Sequence, residues 1–185
     1  MITLDPRTTA LVLIDLQNGI LGRKLAPVSA DELVARGKAL AEKFRAARAP
    51  VVLVNAAPNL AGPERQVDEA SASPRVLPDG FADLAPGLAE PGDILITKPT
   101  WGAFFRTDLD SGLKTRGVRT IVLGGVATHI GVDTTARQAW DLGYELVIAR
   151  DVITSMGVEP HEATLRHVLP RISRVADSNN LAFGG

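Results

Sequence analysis

Residues 120–143, TIVLGGVATHIGVDTTARQAWDLG, constrain the fold more than any other stretch of the chain. Ile121, Val122 and Leu123 form a short apolar β-run, which Gly124 and Gly125 break. Beyond the glycines the pattern predicts a helix that Gly143 can end. Its inward positions, Ile130, Thr135, Ala136, Ala139 and Trp140, are small or apolar. A buried strand that turns sharply into a helix leaves several backbone N–H groups without partners at one point. Those donors, with the positive end of the helix dipole, can hold an anion or an oxyanion. The same glycines also suit a plain βα connection, and the choice between the two rests on what surrounds them.

The strand-then-helix pattern recurs along the chain. ALVLI at 10–14 is a continuous apolar run that ends on Asp15, the pattern of a strand covered on both faces. Ser29 and Glu32 form a capping box for a helix to about Ala47, with Leu33, Val34, Leu40, Ala41 and Phe44 on one side. VVLVNAA after Pro50 is a second strand, and DILIT at 93–97 a third with Lys98 directly behind it. Thr107 or Asp108 can cap a helix with Leu109 and Leu113 inward, closing at Gly117. A fifth strand is expected at 145–149, a helix near 161–169 and a short last strand at 174–176. Between the second and third strands, residues 58–92 read as an irregular connection of a length usually kept for function. Such alternation implies right-handed crossovers and a three-layer α/β/α, Rossmann-like architecture around a mainly parallel sheet. With no repeat and no internal boundary, one domain over 1–185 is expected.

Composition narrows the chemistry. A formal net charge of −1 without a basic block gives no electrostatic footing for nucleic acid. No apolar run approaches the roughly 20 residues of a membrane span, and no charged-then-apolar leader opens the sequence. A cytoplasmic protein is therefore expected. The chain has no cysteine, which rules out thiol nucleophiles, disulfides and thiolate metal sites. In parallel sheets ligands bind beyond the carboxyl ends of the strands. Asp15, Lys98 and the turn at 125–131 all fall there, and a charge directly behind an apolar strand is costly unless paired or used.

These segments resemble the isochorismatase-like family, often called the cysteine hydrolases, along nearly the whole chain. The marks are LVLIDLQNGIL, ITKPTWGAFFRTDLDSGL, GGVATHIGVDTTARQAWDLGY and VIARDVIT. The resemblance implies a parallel sheet of about six strands and a triad of Asp, Lys and Cys. Asp15 and Lys98 occupy the first two places, and Gly131 falls on the third. It further implies a cis peptide between Val126 and Ala127, which would aim backbone amides into the site. Substrate contacts are expected from Gln17, Trp101, Val126, Ala127, Thr128, His129 and Ile130, with Trp101 either stacking on a flat ring or serving as a wall or subunit-contact aromatic. Homo-oligomers are common in the family, and a small-molecule substrate with no cofactor and no metal is expected.

Gly131 decides the mechanism. Amidases of the family attack with a thiolate, and this chain has none. No serine lies in a G-x-S-x-G elbow, and Thr128 and Thr134 have no evident base beside them. His161 and His167 are spaced six apart, not the four of a zinc-binding helix, and read as surface residues. Isochorismatases proper also carry glycine at the nucleophile position and hydrolyse a vinyl ether, which needs an acid and a water but no nucleophilic side chain. Asp15 is then the expected acid and Lys98 its neighbour, with burial and the ammonium pulling the carboxyl pKa in opposite directions. Two alternatives stay open: a catalytically inactive binding protein on this scaffold, and an amidase whose cysteine was removed. For a dicarboxylate substrate, Arg65, Arg75 and Arg106 are candidate cationic contacts. Phe104 and Phe105 read as core, and His129 as either a substrate contact or a structural hydrogen bond.

Overall fold

The apolar runs pair as the pattern requires. In the computed structural model, which describes residues 1–57, 68 and 77–184, the strands are β1 (Ile2–Leu4), β2 (Thr9–Ile14), β3 (Val51–Ala56), β4 (Ile94–Lys98), β5 (Thr120–Val126), β6 (Glu145–Thr154), β7 (Arg174–Ala176) and β8 (Leu181–Phe183). The helices are α1 (Asn18–Leu21), α2 (Ala30–Ala46), α3 (Leu109–Thr115), α4 (Asp133–Asp141) and α5 (Val158–His167). Six strands form one parallel sheet in the order β4-β3-β2-β5-β6-β7. β1 and β8 make a separate parallel pair at the chain ends, which the sequence reading did not anticipate.

The order places β2 and β5 side by side at the centre, so their carboxyl ends define the middle of the rim. β2 is buried along its whole length. Its odd-numbered residues face α2, where Leu11, Leu13 and Leu53 pack with Leu33, Leu40 and Phe44. Its even-numbered residues face α3 and α4, where Val12, Ile14 and Val54 pack with Leu109, Leu113, Ala136 and Ala139. α2 begins as expected, with the Ser29 hydroxyl accepting from the Glu32 N–H. Asp108 holds the N-cap position of α3 without a side-chain bond, and the Thr107 hydroxyl accepts from the Leu109 N–H.

Three expectations need correction. β5 does not break at Gly124 and Gly125 but runs through them to Val126. A Cβ on Gly125, whose φ is +120°, would lie 2.1 Å from Ile14 O, so glycine here lets two backbones touch. β6 does not stop at Ala149: its register with β5 shifts between Leu123 and Gly125, and the strand continues to Thr154. Polar Arg150 and Asp151 mark that irregularity and made the apolar run look finished. Finally, Trp140 and Phe105 are exposed rather than inward, at 52% and 48%.

Candidate active site

Alternation along the strands decides which side chains can meet. Lys98 is in register with Ala56, and two residues back Ile96 is in register with Val54, which pairs with Ile14. All of these share the face of α3 and α4. Continued alternation would send Asp15 to the other face. Asp15 instead adopts a left-handed backbone, φ 56°, while its N–H still donates to Val54 O at 2.8 Å. For a residue with a Cβ that conformation costs roughly 1–2 kcal/mol. It turns the carboxylate onto the lysine's face. Lys98 reaches across the end of β3, beside the short side chain of Ala56, and its Nζ meets Asp15 Oδ2 at 2.9 Å. The ammonium also donates to Thr100 O at 3.1 Å.

Asp15 and Lys98 are both buried, at 6% and 2% exposure. Burial is the larger influence on Asp15 and pushes its carboxyl up from 3.8 to about 6, against the opposing pull of the Lys98 ammonium. Its two oxygens are unequal. Oδ2 accepts from Lys98, whereas Oδ1 is fully buried and has no hydrogen-bond partner among the described residues. An unpartnered carboxylate oxygen inside the protein is costly, and protonation relieves that cost. A proton on Asp15 therefore belongs on Oδ1.

Facing the pair is the turn after β5. The Val126-Ala127 peptide is cis, as the resemblance implied. The chain then enters one π-helical turn, Thr128–Val132, before α4. Ile130 and Val132 both donate to Ala127 O. The other first-turn amides have no carbonyl within the helix to serve, and π-turns are frequent at functional sites. A Cβ built on Gly131 would lie 3.4 Å from Asp15 Oδ2, 3.2 Å from Ile14 Cγ2 and 3.1 Å from Val126 O. Gly131 thus adjoins the acid, in a space closed around a glycine.

The support behind this turn has no signature in residue spacing. Thr128 has a histidine beside it after all: His161 Nδ1 lies 2.8 Å from its hydroxyl oxygen, and the hydroxyl donates to Thr154 O at 3.0 Å. His161 is buried at 3%, not a surface residue, because α5 packs that helix face against the turn. His167 is exposed. His129 Nδ1 pairs with Ser155 Oγ, and burial lowers the pKa of both His129 and His161. Neither hydroxyl stands where the family's thiol falls: Thr128 Oγ1 is bonded to Thr154 O and His161, and Ser155 Oγ to His129, whereas Gly131 is the residue beside Asp15.

The remaining candidates divide. Val126 and Ala127 are buried in the turn, and Ile130 is half-buried there. Gln17 does not present its amide to a ligand: both N–H groups donate, to Ala56 O and Phe81 O at 3.0 Å each, and its oxygen accepts from Ala56 N–H. It braces the end of β3 instead. Trp101 is 65% exposed. Arg106 stacks over Phe105, 5.2 Å from the ring centre. Arg65 and Arg75 lie outside the described residues. Among the described residues no cluster of three or more His, Asp or Glu could hold a metal ion.

Comparison with known proteins agrees with this arrangement. The model of the isochorismatase domain matches residues 9–180. The uncharacterized isochorismatase family protein YecD of Escherichia coli O157:H7 is 46% identical over 178 residues, covering 95% of each chain. The ureidoacrylate amidohydrolase RutB of Methylobacterium radiotolerans is 32% identical, covering 95% of this chain and 79% of its own. Among solved structures, an isochorismatase family protein from Burkholderia thailandensis superposes with a TM-score of 0.90 at 38% identity, covering 97% of this chain and 95% of that one. With a six-stranded parallel sheet, an aspartate and a lysine at its rim and this family model over most of its length, the chain belongs to the isochorismatase family of hydrolases.

Proposed function

We propose that this hydrolase cleaves a vinyl ether of a small molecule such as isochorismate, releasing pyruvate and a dihydrodiol, by acid catalysis without a covalent intermediate. The observation that carries the reading is the orphaned Oδ1 of a carboxyl group whose pKa lies near 6. Asp15 gives that proton to the terminal enol carbon. The C=C pair forms the new C–H bond and leaves an oxocarbenium ion. Water adds to the cation and returns a proton to the Asp15 carboxylate. The resulting hemiketal collapses to ketone and alcohol as its hydroxyl proton passes to the leaving oxygen. Lys98 orients the carboxyl group, and the amides around Gly131 hold the substrate's carboxylate. Glycine at 131 keeps a side chain from pressing on the Asp15 carboxylate, 3.4 Å from where its Cβ would stand.

The likeness to RutB favours a second reading, hydrolysis of a small amide. Without a thiol, ionised Asp15 would then act as the base for an attacking water. The two readings need opposite protonation states of one residue. Acid catalysis predicts turnover that falls as pH rises above about 6, and base catalysis predicts the reverse. Asp15→Asn preserves shape and removes the proton. With an accepted vinyl ether, turnover should drop roughly 10²–10⁴-fold. A folded Asp15→Asn protein with full activity would refute the mechanism.

A further inference from the structure

His161 belongs to none of the groups assigned above, yet it is buried and bonded to the first residue of the amide-bearing turn. We infer that His161 is a positioning residue: as a neutral imidazole protonated on Nδ1, it fixes Thr128 and thereby holds the turn around Gly131 in its ligand-binding form. The inference deepens the proposed role of that turn and rests on it for the activity readout only.

Hydrogen-bond accounting assigns the tautomer. Thr154 O is a carbonyl and can only accept, so the Thr128 hydroxyl proton goes to it at 3.0 Å. The lone pair of Thr128 Oγ1 then faces His161 Nδ1 at 2.8 Å, and a bond forms only if Nδ1 carries the hydrogen. The opposite tautomer would leave the Thr154 carbonyl without that donor inside the protein. Burial lowers the pKa of His161 and favours the neutral ring.

Thr154 is itself anchored. Its hydroxyl donates to Val28 O at 2.8 Å and accepts from Val28 N–H at 3.1 Å. Ser155, the next residue, exchanges backbone bonds with Ala26 and contacts His129 through its side chain. α5, the end of β6 and the 26–28 loop are thus joined at the two residues that open the turn. Three residues beyond Thr128 stands Gly131, beside the Asp15 carboxylate. A loosened Thr128 would let the turn drift from the acid without disturbing Asp15 or Lys98.

The test separates a tautomer-specific donor from a buried ring that merely fills space. Asparagine can place its amide N–H where Nδ1 sits, whereas glutamine places it near Nε2. In the wild type, imidazole nitrogen NMR shifts should report Nδ1–H. His161→Gln and Thr128→Val should speed hydrogen exchange at the Ile130 and Val132 amides about five- to tenfold, the effect of one lost buried hydrogen bond. His161→Asn and Thr128→Ser should stay near wild type. With an accepted vinyl ether, His161→Gln should raise KM about as much while the fall in turnover above pH 6 keeps its midpoint. An Nε2–H ring, or equal exchange in the Asn and Gln variants, would overturn the inference. If no vinyl ether is turned over, the tautomer and the exchange rates still decide it, and only the proposed reaction fails.

Discussion

Lys98→Met is the most informative perturbation of the site, because it removes one charge and keeps an apolar stem of similar length. Lys98 Nζ lies 2.9 Å from Asp15 Oδ2. At that separation the Coulomb attraction is about 1.4 kcal/mol at the dielectric constant of water and about 6 kcal/mol at an effective constant near 20. The pull on the carboxyl pKa is thus roughly one to four units. In the wild type Lys98 opposes burial and the balance falls at about 6. Without it, burial acts alone and the pKa rises further. Protonated Asp15 favours folding, because its folded pKa exceeds the ordinary 3.8. That stability is fully present below about pH 4 and is lost as pH rises through about 6, a change of about 3 kcal/mol. In Lys98→Met the loss extends to higher pH and grows. Urea unfolding between pH 5 and 8 should therefore show the variant losing more stability than the wild type. On an accepted vinyl ether, the fall in turnover should move up by at least about one unit. A midpoint that moves down, or a variant that loses less stability over that range, would refute the electrostatic account.

The Gly131 pocket should resist a side chain. Gly131→Ala brings a Cβ to 3.1 Å from Val126 O, and after the gain in helix propensity it should cost about 1 kcal/mol net, read as a lower urea midpoint. A variant more stable than the wild type would show that the space is open. Gly131→Cys, if folded, should gain reactivity with alkylating reagents without gaining vinyl-ether hydrolysis, since the amide turn favours a thiolate. An increase in that hydrolysis would favour covalent chemistry. We expect a homo-oligomer that covers part of the segment around Trp101, which is 65% exposed in the single chain. Light scattering should give a multiple of the chain mass that Trp101→Asp lowers, and a wild-type monomer at micromolar concentration would refute this.

The sheet and the acid–base pair were legible because their signals are local. A continuous apolar run reads as a buried strand, and a charge directly behind it marks the rim, so Asp15 and Lys98 stood out before any geometry was known. The backbone conformation that makes them meet was not legible: the left-handed φ of Asp15 has no side-chain signature. The extension of β6 was hidden by Arg150 and Asp151, whose polarity resembles a strand end. That error concealed Thr154 and Ser155, and with them the partners of Thr128 and His129. His161 was misread for a related reason. Six-residue spacing argues against a metal site, but it carries no information about which helix face α5 turns inward.

The pairing of β1 with β8 has a mechanical consequence. The two strands run parallel, with Ile2 opposite Leu181 and Leu4 opposite Phe183. Tension applied between the chain ends pulls β1 from its first residue and β8 from its last, so the strands are drawn past each other lengthwise. Their hydrogen bonds are then loaded together in shear rather than opened one after another. The edge-to-face contact of Phe183 with Phe44, 4.9 Å between ring centres, ties that clasp to α2. Force entering through the ends is borne there first, on the α2 side of the sheet and away from the face where Asp15 meets Lys98.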